Sequence, residues 1–266
     1  MTTSPAVNAE RYGEIFRQGM SATQRQTLAW VPPGSRVLEL GCATGYMSAL
    51  LRDEKRCQVT GVEVDADAAR RAHALGLTVL VGSLDDPSFL GSLEGEFDVV
   101  IASDVLEHLV EPERALAHVR SLLAPGGRMV LSTPNIAAWQ IRSKLFFGGQ
   151  FRYEEHGIMD RTHVHFFTWE TFHELLARQR LEVLDRVHET VDIPFGMRLL
   201  IDWPLATVRR IEGRLPDERG LARWLDRKVL DKVLDVVRLR ERWEPVLAER
   251  WPNLCLPHIA VLVAPR

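Results

Sequence analysis

Two carboxylates, Glu39 and Glu63, lie on either side of a glycine turn, Gly41-Cys-Ala-Thr-Gly45. A turn of this kind lets a ligand approach the backbone closely, and the helix that follows offers its positive end. Glu39 interrupts the apolar run Val37-Leu-Glu-Leu40, where a charge is costly unless it has a partner. A ligand ammonium group is one candidate. Glu63 stands about 20 residues past the turn, the spacing at which an acid accepts hydrogen bonds from a ribose diol and repels a 2′-phosphate. Asp65 is better placed than Glu63 to cap the next helix. A second group of residues suits proton transfer, because imidazole titrates near neutrality. It comprises His108, in Asp104-Val-Leu-Glu107-His108, and the stretch from Tyr153 to Thr168, which contains His156, Asp160, Arg161, His163 and His165.

The elements that must hold these groups alternate along the chain. Short apolar runs read as strands at 36–40, 57–62, 78–81, 97–102, 128–132, 181–187 and 258–263, and helical spacing follows at 46–51, 66–75, 112–123 and beyond Thr168. The pattern predicts an α/β, doubly wound sheet, whose ligands gather at the carboxyl ends of the strands.

The dinucleotide fingerprint fails at Ala43 and Tyr46. The spacing Glu39-x-Gly41-x-x-x-Gly45 instead resembles motif I of class I S-adenosylmethionine (SAM)-dependent methyltransferases, with Ala43 where that family usually has a third glycine. Over residues 36–135 the chain is similar to the ubiquinone-type and "type 23" small-molecule methyltransferases. The resemblance implies a Rossmann-like seven-stranded sheet with its last strand antiparallel, and SAM as methyl donor. It places the cofactor against Glu39, Gly41, Cys42, Ala43, Gly45, Glu63, Val64, Ser83, Leu84, Ala102 and Ser103, with Asp85 a candidate partner for the adenine amine. Ser83 stands where an acid is more usual.

A well-placed base favours oxygen as the methyl acceptor, since a hydroxyl is a poor nucleophile until it loses its proton. The segment Gly157-Ile-Met-Asp-Arg-Thr-His163, followed by Phe166-Phe-Thr168, resembles a methyltransferase subgroup associated with glycan modification. His163 is read as general base, with Asp160 orienting it or binding the sugar and Arg161 meeting an acidic group; His108 is the second candidate. Asp104, Glu107 and His108 share one helical face, and in some ubiquinone-biosynthesis O-methyltransferases a similar pattern holds a divalent cation. A helix start with an acidic first turn is the preferred reading, so no metal is expected there, nor zinc at the His-x-His pair. The expected activity is O-methylation of a small molecule or a sugar hydroxyl. N-methylation of an amino sugar or other amine is one alternative. Another is a SAM-binding accessory protein that regulates a partner enzyme, resembling the methionine-biosynthesis accessory family through Val62-Glu-Val-Asp-Ala-Asp67 and Pro134-Asn135…Trp139.

The 266 residues are 46% hydrophobic and 26% charged, ordinary proportions for a globular chain, and the net charge of −3 gives no reason to expect nucleic-acid binding. Three separated cysteines, Cys42, Cys57 and Cys255, form no Cys-x-x-Cys pair and suit a reduced, cytoplasmic setting; the first residues lack a signal-peptide pattern, and no apolar run reaches spanning length. The expected organisation is a cofactor-binding core at 1–193, whose N-terminal helix carries Tyr12, then a helical insertion at 194–253 and a final strand in 254–266. Leu221, Trp224, Leu225, Val229, Val233 and Val236 give the insertion an apolar stripe, suited to a lid or a homodimer surface in preference to a membrane face at 195–204.

Overall fold

The structure is a computed structural model that describes residues 20–187, 252 and 256–266. The expected N-terminal helix with Tyr12, the 195–204 segment and the apolar stripe of the insertion lie outside the described residues. One compact unit holds residues 20–136, 152–187 and 258–266, and residues 137–151 belong to a second.

In the first unit seven strands form one sheet: β1 (Arg36–Leu40), β2 (Gln58–Glu63), β3 (Thr78–Val81), β4 (Phe97–Ser103), β5 (Leu123–Pro134), β6 (Leu181–Arg186) and β7 (His258–Pro265). Their order is β3-β2-β1-β4-β5-β7-β6. The first five run parallel, and β7 enters antiparallel between β5 and β6. This is the doubly wound, Rossmann-like sheet that the alternating pattern predicts, and the strand limits agree with the apolar runs to within a few residues.

The helices of this unit are α1 (Ala22–Trp30), α2 (Tyr46–Lys55), α3 (Ala66–Ala74), α4 (Pro87–Ser92), α5 (Pro112–Ser121) and α6 (Trp169–Arg178). Their starts follow local chemistry. Asp65 caps α3 through the amides of Asp67 and Ala68, and Thr168 and Thr171 form a reciprocal cap on α6. The central strands are buried on both faces, as a parallel sheet between helices requires. Leu38, Leu40, Val100 and Leu131 point into one apolar cluster with Phe172 of α6. Val37, Val99, Ile101 and Val130 point into the other with Trp30 and Leu51. Alternation along β1 therefore puts Glu39 on the face of Val37, the face covered by α2.

Parallel pairing places the last residues of β1, β2, β3 and β4 along one edge. Glu39 pairs with Gly61 and Ile101, Leu40 with Ala102, and Glu63 with Val81. The glycine turn, Glu63, Val64, Ser83, Leu84, Ala102 and Ser103 are thereby gathered along that edge from separate stretches of sequence.

Candidate active site

At the β1 side, Glu39 is 7% exposed and accepts a hydrogen bond from the Ser48 hydroxyl on α2. Burial pushes its carboxyl up to about 7; the Ser48 hydrogen bond works against that rise and the neighbouring Glu63 adds to it. Glu63 receives the amide of Ala43 at 2.8 Å on one oxygen and that of Asp65 at 2.9 Å on the other. Ala43 has a left-handed backbone (φ 48°), which costs an L-residue about 1–2 kcal/mol, so the Glu63 contact fixes a turn that alanine alone would resist. Cys42 is buried and its thiol is pushed up, first by that burial and then by Glu39 and Glu63; it is a packing residue of the turn. Val64 is 68% exposed, an apolar surface directly after the acid that suits a flat aromatic base. Ser83 and Leu84 follow β3, and the Ser83 hydroxyl accepts the Asp85 amide at 3.2 Å. Asp85 Oδ1 receives the amides of Val110 at 2.9 Å and Glu111 at 3.4 Å.

Just past β4, a short 3-10 turn (Leu106–His108) carries Glu107 and His108. The loop that contains His163 is tied to this turn, since the amides of Val164 and His165 both donate to the Glu107 carbonyl, at 2.9 and 3.0 Å. The two candidate bases are thus brought together, with ring centroids 4.8 Å apart. His163 Nδ1 lies 3.1 Å from the Ile158 carbonyl and His108 Nδ1 lies 3.3 Å from that of Thr162. A carbonyl only accepts, so Nδ1 carries the hydrogen in both rings and the neutral lone pair is on Nε2. Burial, then the His108 ring, lower the pKa of His163, which keeps its imidazole neutral at pH 7.

The His163 ring meets the Ile158 carbonyl, and the His163 amide donates to the Asp160 carbonyl at 3.1 Å. The Asp160 carboxylate accepts the Thr162 amide at 2.9 Å and the Thr162 hydroxyl at 2.7 Å, as short acidic side chains do in tight turns. His165 is also diverted, with Nε2 3.2 Å from the Val110 carbonyl.

Asp104 does not join Glu107 and His108 as the i, i+3, i+4 pattern predicts, because its backbone is left-handed (φ 54°) and no helix starts there. Its carboxylate accepts the Ser132 hydroxyl at 2.9 Å and faces His258 Nε2 at 3.4 Å. Burial acts to raise Asp104, but His258 outweighs it with help from Ser132, so the carboxyl sits below its usual range. Burial acts to lower His258, but Asp104 outweighs it, and the imidazole sits above its usual range. Burial, then Asp104, hold Glu107 well above the normal carboxylate range.

The sequence profile of a methyltransferase-domain family matches residues 12–185, more than half of the chain. The chain belongs to the class I SAM-dependent methyltransferases. A ubiquinone biosynthesis O-methyltransferase from Pseudomonas aeruginosa is 31% identical over 106 residues, 38% of this chain and 45% of that one. One from Xanthomonas campestris pv. campestris is 34% identical over 109 residues, 39% and 44% of the two chains. The chain spans less than half the length of these curated relatives. Among solved structures, a SAM-dependent methyltransferase from Thermotoga maritima, a possible histamine N-methyltransferase, has a TM-score of 0.52 at 21% identity, covering 66% of this chain and 78% of that one. A chain from the Haloferax volcanii complex between the Trm112 methyltransferase activator and a methyltransferase has a TM-score of 0.57 at 17% identity, covering 98% and 97%. These two show the shared fold.

SAM is the methyl donor of this methyltransferase, and membership of the family does not by itself require a cation. No helix among the described residues is long and apolar enough to cross a membrane. Sequence reading missed three features of the methyltransferase: Ser48 on Glu39, the Ile158 carbonyl on His163, and His258 on Asp104. Ser48 lies i+9 from Glu39 across the turn and was in principle findable from the βα geometry. The other two depend on loop path and strand order, which spacing does not encode.

Proposed function

We propose that this SAM-dependent methyltransferase transfers the methyl group to a hydroxyl oxygen of a small molecule or sugar. The observation that supports the reading is the imidazole pair. His163 is held neutral and buried, with Nδ1 spent on a backbone carbonyl and Nε2 left to take a proton. An amine acceptor needs alignment above all, whereas a hydroxyl gains about 10²–10⁴-fold from such a base. In this reading Glu39 meets the amino-acid end of SAM, Glu63 the ribose hydroxyls, and Val64 with Ser83 and Leu84 the adenine. His108 supports His163 as the second proton acceptor, and Asp160 presents its turn to the acceptor beside Arg161. A glycan acceptor and a homodimer formed through the 194–253 insertion belong to the same proposal.

A screen with methyl-labelled SAM over sugars, phenols and lipid-linked alcohols tests this, with amines included in parallel. Label in a methyl ether is the expected result, and label confined to nitrogen overturns it.

The cofactor half has its own test in the titration of Glu39. Its folded, ligand-free pKa is about 7, and an ammonium group beside it would favour the carboxylate and lower that value. Binding the demethylated cofactor then releases a proton, so affinity is expected to rise with pH up to about 7 and level off above it. Calorimetry at pH 6.5 in buffers of different ionisation heat reads the proton directly. Affinity that is flat from pH 5.5 to 7.5 would show that Glu39 does not face the ligand's charge.

A further inference from the structure

Ser48 is the only polar residue among the buried positions of α2, at 1% exposure. A hydroxyl so placed is costly without a partner, and it finds one in the carboxyl of Glu39 on β1. The start of α2 has no anionic group of its own. Gly45 at its N-cap offers no side-chain hydrogen bond, and no acid stands in the first turn, to which Ser48 belongs. Glu39 is therefore the carboxyl linked to that positive helix end, from a different element. Its strand neighbours are Gly61 and Ile101, which bring no charge. The ionisable groups that act with it are Glu63 on β2 and the Cys42 thiol in the turn, and both oppose a charge on Glu39. Among the described residues Ser48 is the one hydrogen-bond partner of this carboxyl.

We infer that Ser48 is a positioning residue for the methyl donor, whose hydroxyl holds the Glu39 carboxylate charged and oriented for the cofactor's ammonium group. The inference deepens the cofactor reading above and rests on Glu39 meeting that group. It is independent of the acceptor. Its physical content lies in what the hydroxyl does to each state of the carboxyl. Below about pH 7 the ligand-free carboxyl is mostly protonated and must lose its proton to pair with an ammonium group. The Ser48 hydroxyl donates to the charged form, so its removal makes that loss harder. At higher pH the carboxylate is charged in the free and the bound chain, and the hydroxyl serves both alike. The contribution of Ser48 to affinity is thus confined to the range in which Glu39 still carries a proton.

The test is Ser48→Ala, a substitution that suits a helix. Infrared titration of the ligand-free chain follows the carboxylic C=O band that Glu39→Gln removes. The parent should lose this band with a midpoint of about 7. In Ser48→Ala the midpoint should lie at least about one pH unit higher, the scale of a hydrogen bond to a charged group. Calorimetry with the demethylated cofactor then reads the consequence. Affinity should be down about tenfold at pH 6, with the deficit closing as the pH rises past about 8. In the Glu39→Gln background, Ser48→Ala should add no more than about a twofold loss, because it acts through that carboxyl. If Ser48→Ala fails to fold, Ser48→Cys supplies a weak donor and should move the midpoint the same way. An unmoved midpoint, or a deficit of the same size from pH 6 to pH 9, would overturn the inference. A moved midpoint with binding that is flat across pH in both chains would remove the ammonium reading and leave the hold of Ser48 on Glu39 standing.

Discussion

Replacing His163 by alanine is expected to lower methyl-transfer turnover at least about a hundredfold while SAM affinity stays at the parent value. The expectation follows from where the ring sits. His163 reaches the site from the loop after β5, on the far side of β4 from the glycine turn, and its ring meets the Ile158 carbonyl, His108 and Phe166. Among the described residues, none of the groups proposed to face the cofactor, Glu39, Glu63 or the turn between them, is hydrogen-bonded to it. On the proposed reading, removing the imidazole takes away a group that acts on the acceptor and spares those that hold the donor. Turnover and SAM binding measured on the same preparation separate the two. The fall should appear in kcat, since the interaction is made as the proton leaves. Near-parent turnover would take His163 out of the mechanism and favour an amine acceptor.

Gly45→Ala should fail at an earlier level, by damaging the fold of the cofactor turn. Gly45 has φ +81°, a conformation that costs an L-residue about 1–2 kcal/mol. A Cβ there would also overlap Leu77 Cδ1 and come within 2.8 Å of Ala72 Cβ and 3.2 Å of Ala72 Cα. The Leu77 side chain has some freedom to yield, but the α3 backbone at Ala72 has little. Overpacking of this kind adds about 1–3 kcal/mol, giving a total of roughly 2–5 kcal/mol. For a domain of this size that lowers Tm by at least about 5 °C. Thermal melting with and without the demethylated cofactor checks it. Both the Tm and the ligand-induced rise in Tm should fall, and an unchanged Tm would show that the α2–α3 packing is looser than the contacts imply.

The contrast between these two positions shows what residue identity and spacing can and cannot reveal. Glu39, the glycine turn, Glu63 and the Asp65 cap are close in sequence, and each follows from chemistry acting over a few residues. Those groups can be picked out from the residues themselves, as can the α/β order of the elements. His163 and His108 are legible as residue types, but not as neighbours. Their meeting depends on two amides donating to the carbonyl of Glu107, and backbone groups leave no trace in residue identity. Asp160 and Asp85 each take on a local task that spacing does not reveal. One oxygen of each carboxylate accepts nearby amides, that of Thr162 for Asp160 and those of Val110 and Glu111 for Asp85. Asp104 has the spacing of a helical partner of Glu107, and it is one only in charge, because its left-handed backbone breaks the turn.

The position of β7 also bears on the order in which the molecule assembles. It comes later in the chain than both of its neighbours, yet it lies between them, so β6 has no sheet partner until β7 arrives. Such distant pairing is slow to form. His258, the first residue of that strand, also brings Asp104 its imidazole neighbour. On the proposed reading, a nascent chain completes its nucleoside-binding half well before its acceptor side is set. Binding of the cofactor and competence for catalysis would then emerge as two separate kinetic phases during refolding.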